Sequence, residues 1–62
     1  MREEMVQETI MKALNNQPVS ENKLAVAINE RYGKRPGDMK IINQYRKEGM
    51  TEVKIAKVMD MF

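Results

Sequence analysis

Lys40, Asn43, Gln44 and Lys47 stand at i, i+3, i+4 and i+7, the spacing that gathers four side chains on one face of a helix. Two cations bracketing two amides suit a helix lying on duplex DNA: amides pair with adenine edges, and cations meet phosphates or guanine. Between them Met39, Ile41, Ile42 and Tyr45 read as the opposite, apolar face. Residues 31–47 hold six of the chain's eleven basic residues and one acid, Asp38, so the remainder is net negative although the whole chain is only +2. An ordinary solvated helix face has the same spacing, and salt separates the two readings. Six cations engaged with phosphates would lower log K against log salt with a slope of roughly −5, whereas a solvated face would show almost none.

Other chemistry is poorly supplied. The 62 residues contain no histidine and no cysteine, which excludes a disulfide framework and the usual zinc ligands. The single serine, Ser20, reads as a helix cap, and Gly33 and Gly37 flank Lys34, Arg35 and Pro36 in no spacing known to cradle phosphate. No catalytic set, metal or cofactor is expected. Charges interrupt every apolar stretch, so neither a membrane span nor a signal peptide is predicted, and the expected location is cytoplasmic.

Four helices must position the basic stripe. From Arg2 to Asn16, Met5, Val6, Ile10, Met11, Ala13 and Leu14 follow helical spacing, and the segment ends in Asn15, Asn16, Gln17 and Pro18. Ser20 then offers an N-cap, with Glu21 in the first turn and Val19 placed to pack on Leu24. The second helix carries Leu24, Ala25, Ile28 and Tyr32 on one face, and Gly33 is expected to end it in a left-handed cap. Pro36 opens the third helix, Gly37 to Glu48, and Gly49 terminates it. Thr51 caps a fourth helix that is apolar around most of its circumference. The β-branched Val53, Ile55 and Val58 also allow a short strand over Thr51 to Lys57.

Ile10, Leu14, Ser20, Leu24 and Ala25 follow the pattern of a helix, a short turn, a Ser or Thr cap and a Leu-Ala pair. In this the stretch from Ile10 to Ile28 resembles the first two helices of helix-turn-helix and winged-helix DNA-binding domains. That resemblance implies that the third helix is the recognition helix, with Lys40, Asn43, Gln44 and Lys47 reading DNA and Lys34, Arg35 and Arg46 holding phosphates. The connection from Glu30 to Pro36 is longer than usual for such motifs, and no two-stranded wing follows Gly49. A second register is also similar: Ile41 to Met59, with Gly49-Met50-Thr51 leading into Ile55-Ala56-Lys57, is like the opening helices of resolvase-type helix-turn-helix domains. In that register the recognition helix would follow Phe62.

The expected fold is a single all-α domain, a bundle of four short helices, helix-turn-helix-like. Its expected core is Val6, Ile10, Leu14, Leu24, Ile28, Tyr32, Ile42, Tyr45, Val53 and Ala56. A chain this short buries only about 60% of its unfolded surface, and the seven methionines are core filler or an adaptable surface. With 42% apolar residues, association is expected, as a homodimer or with a protein partner, through Val53, Ile55, Val58, Met59 and Phe62. Phe62 ends the chain where a polar tail is usual, so the chain reads as part of something longer. Two functions follow: a small dimeric DNA-binding regulator of double-stranded DNA, or a protein-interaction module, such as the inhibitors and adaptors of phages and bacteria, docking through its fourth helix.

Overall fold

The computed structural model describes residues 2–62, which form four helices in chain order: α1 (Glu3–Leu14), α2 (Glu21–Tyr32), α3 (Pro36–Lys47) and α4 (Glu52–Asp60). No strand occurs among the described residues, so the chain is the expected all-α bundle and α4 is a helix rather than a strand. Thr51 explains that outcome locally, because its hydroxyl accepts the Lys54 N–H at 3.2 Å and occupies a donor the first turn leaves unpaired. Glu52 adds a carboxylate at the positive end of the helix dipole. Ser20 caps α2 in the same way, through the Lys23 N–H at 3.5 Å.

Two helices end in the same motif. After α1, Asn16 adopts φ 60°, its N–H donates to the Ala13 carbonyl and that of Gln17 to Lys12. After α3, Gly49 adopts φ +89°, its N–H donates to Arg46 and that of Met50 to Tyr45. Both are Schellman endings, which need one left-handed residue; glycine supplies it without a Cβ clash, and asparagine at small cost. Gly33 differs from the expected left-handed cap, having φ −94°. Its requirement is steric: a Cβ there would lie 2.5 Å from the Asn29 carbonyl oxygen and 2.6 Å from the Met39 sulfur. The α2–α3 corner closes tightly because this residue has no side chain.

The core consists of Val6, Ile10, Ala13, Leu24, Ala27, Ile28, Ile42, Ile55, Ala56 and Met59. Leu14, Tyr32, Tyr45 and Val53, expected inside, lie partly buried at its edge. Ala13 and Ala27 replace them at the centre, where a short side chain leaves room for neighbouring helices to approach. The α4 face is divided by its packing: Ile55 and Met59, expected to meet a partner, are buried, whereas Phe62 is 81% exposed. This corrects their placement, because α4 packs against α1, α2 and α3 and its inner face is consumed by the chain's own core. By contrast α3 packs on α2 and α4 and not on α1. No described helix is long and apolar enough to cross a membrane.

Candidate nucleic-acid interface

The position of α3 at the edge of the bundle decides what its side chains meet. Of its twelve residues only Ile42 is buried. Met39, Tyr45 and Arg46 flank it half-buried, and the opposite arc, Asn43, Lys47, Lys40 and Gln44, is exposed. The four stripe residues therefore share one solvent-facing surface, as their spacing requires. Ile41, read as part of the apolar face, is 37% exposed instead. It precedes Ile42 by one residue, a rotation of about 100°, which carries it out of the contact with α2 and α4.

Lys34, Lys40 and Lys47 form no ion pair among the described residues. Gln44 donates through Nε2 to Glu48 Oε2 at 3.0 Å, which orients its amide along the helix and leaves its carbonyl oxygen free to accept. Arg35 precedes Pro36 and donates through Nε to Asp38 Oδ2 at 3.0 Å. Its side chain is nonetheless 85% exposed, and an ion pair so open to water is readily exchanged for a phosphate.

Arg46 departs from the expected phosphate-holding role. Its guanidinium turns inward, donating to both carboxylate oxygens of Glu52, to Asn29 Oδ1 at 2.9 Å and to the Ala25 carbonyl at 3.3 Å. One side chain thus ties α2, α3 and the start of α4 together. The sequence holds a clue: Arg46 follows Ile42 by four residues and so shares its inward side. Charge counting along the chain has no access to that distinction.

The connection between α2 and α3 is three residues, Gly33 to Arg35, because α2 runs to Tyr32 and α3 starts at Pro36. This is the length used in helix-turn-helix corners and corrects the longer connection expected. The three-residue link between α3 and the Thr51 cap is equally short.

The N-terminal part of the basic stretch borders a cleft that the sequence does not reveal. Arg31, Lys34 and Arg35 line a cleft of about 530 Å³ that also receives Tyr32 and, from the far end of the chain, Asp60 and Phe62. The Arg31 guanidinium sits 5.7 Å from the centre of the Tyr32 ring. No linear pattern links residues 31 and 62, since the packing of α4 brings them together. Among the described residues no group of acidic side chains could hold a metal ion.

In comparisons with known proteins, the chain matches no family model, no curated protein and no solved structure.

Proposed function

We propose that the protein binds double-stranded DNA through the outward face of α3, as a small regulator of helix-turn-helix type. The observation that carries this reading is the asymmetry of α3: it buries Ile42 alone and turns Lys40, Asn43, Gln44 and Lys47 to solvent. Lys34 and Arg35, exposed just before the helix, extend the positive surface toward the position where a phosphate flanking the groove would lie. Short connections on both sides of α3 fit a helix presented at a corner. One such helix covers little DNA, and a second copy bound to an adjoining half-site doubles the contact.

Fluorescence anisotropy of a labelled random-sequence duplex, titrated at several salt concentrations, tests the reading. Of the five cations expected to contact DNA, Arg46 is committed to Glu52 and four remain, Lys34, Arg35, Lys40 and Lys47, so the expected slope of log K against log salt is roughly −4. No binding at low salt would refute it.

A second reading, a helical module that binds another protein, draws on Met61 and Phe62, which are 86% and 81% exposed at the end of α4. Two adjacent large apolar side chains in water favour a covering partner or a second copy. Val53 and Val58, half-buried, contribute only their outer edges to that surface.

A further inference from the structure

We propose that the cleft between the end of α2, the start of α3 and the end of α4 binds a nucleoside monophosphate, at a site that shares Lys34 and Arg35 with the DNA surface proposed above but lies apart from the face of Lys40, Asn43, Gln44 and Lys47. The cleft is lined by three cations within five residues, Arg31, Lys34 and Arg35, and by two carboxylates, Asp38, which is paired to Arg35, and Asp60. Arg31 and Lys34 have no ion-pair partner among the described residues, and Arg35 uses only its Nε on Asp38, leaving its terminal nitrogens to donate. Guanidinium groups bind phosphate through paired donors.

The same lining includes apolar and aromatic groups, Phe62, Tyr32 and Met59, with the Arg31 guanidinium 5.7 Å from the centre of the Tyr32 ring. Phe62 is exposed and offers a face on which a base can stack. Asp60, beside it, has acceptor oxygens for a base amino group or a ribose hydroxyl. A phosphate site joined to a stacking surface within one cleft matches a nucleotide better than a simple anion, and about 530 Å³ lies within the usual range for small-molecule sites.

Tyr32 adds an independent observation. Its hydroxyl is buried and has no hydrogen-bond partner among the described residues. Buried hydroxyls are ordinarily paired; this one is closed to solvent, so a ligand oxygen partners it only when the ring turns toward the cleft. Tyr32→Phe should therefore leave the free protein as stable or more stable while weakening nucleotide binding several-fold.

The test is a ¹H–¹⁵N correlation titration of the whole chain with AMP, GMP, CMP and UMP, with adenosine and inorganic phosphate as separate arms. The expected result is saturable shifts at Arg31, Tyr32, Lys34 and Phe62, with a dissociation constant of about 1 mM or tighter for at least one nucleotide. Arg31→Gln should weaken binding about tenfold and Phe62→Ala roughly five-fold or more. Lys40→Glu with Lys47→Glu should leave it unchanged, so duplex binding and nucleotide binding can fail separately. A 5′-phosphorylated single-stranded oligonucleotide distinguishes the source: competition with the mononucleotide assigns the site to strand ends, and its absence to free nucleotides. Equal affinity for inorganic phosphate and every nucleotide, or no saturable shift at about 10 mM ligand, overturns the proposal.

Discussion

Arg46 and Glu52 are bound two-pronged: Nε meets Oε2 at 3.0 Å and Nη2 meets Oε1 at 2.8 Å, with side chains only 25% and 14% exposed. The pair closes the α3–α4 corner, and further bonds to Asn29 and the Ala25 carbonyl fasten the same guanidinium to α2. A basic residue that looks like part of a DNA surface is thereby a structural clamp.

Removing one side of this clamp strands the other in partly dry surroundings. Arg46→Met is expected to cost about 2–3 kcal/mol, less than a fully buried pair because some water reaches both groups. Combined with Glu52→Leu, the loss should be less than the sum of the single losses by about 1–2 kcal/mol. Urea unfolding of the four proteins measures both quantities; strict additivity would show that the two side chains do not cooperate.

Three glycines should respond differently to alanine. Gly33→Ala forces a methyl against the Asn29 carbonyl and the Met39 sulfur and should destabilise by about 1–3 kcal/mol. Gly49→Ala has open space but φ +89°, so about 1–2 kcal/mol of backbone strain is expected. Gly37→Ala, in the first turn of α3 with nothing within 4 Å, should stabilise by about 0.4–1 kcal/mol. Thermal unfolding of the three variants ranks them, and a stabilising Gly33→Ala would refute the steric account.

For the α3 surface, Lys40→Glu with Lys47→Glu should abolish duplex binding with little change in unfolding midpoint, since both side chains lie in solvent. Arg46→Met should do the reverse, lowering stability while keeping the salt slope of whatever folded protein remains. If the Arg46 variant, still folded, loses a unit of slope, the guanidinium reaches phosphate after all.

On α4, Ile55→Ala is expected to cost about 2–4 kcal/mol because the side chain is fully buried. Met61→Asp with Phe62→Asp should be close to neutral for folding and should reduce self-association in sedimentation equilibrium if this end of the helix joins two copies. An unchanged mass at all concentrations would remove that role.

Much of the architecture is local and therefore readable from the chain. Thr51 and Ser20 announce helix starts because their hydroxyls compete for nearby N–H groups. Pro36 opens α3 because its ring sets φ, and Gly49 closes it because only glycine enters the left-handed region freely. Period 3.6 likewise placed Lys40, Asn43, Gln44 and Lys47 on one face, and Val6, Ile10, Leu24 and Ile28 inside.

Tertiary packing decided the rest, because burial depends on which neighbours arrive. Ile55 and Met59 entered the core, and not a partner's groove, once α4 lay across the other three helices. Arg46 was withdrawn from solvent by a carboxylate on the next helix. The space beside Gly33 is closed by the Asn29 carbonyl and by the Met39 sulfur arriving from α3, and Arg31 and Phe62 line one cleft only because the two chain segments end at one corner. Local hydrogen bonding and side-chain period are written along the chain, whereas distances between helices follow from how four apolar faces share one small core.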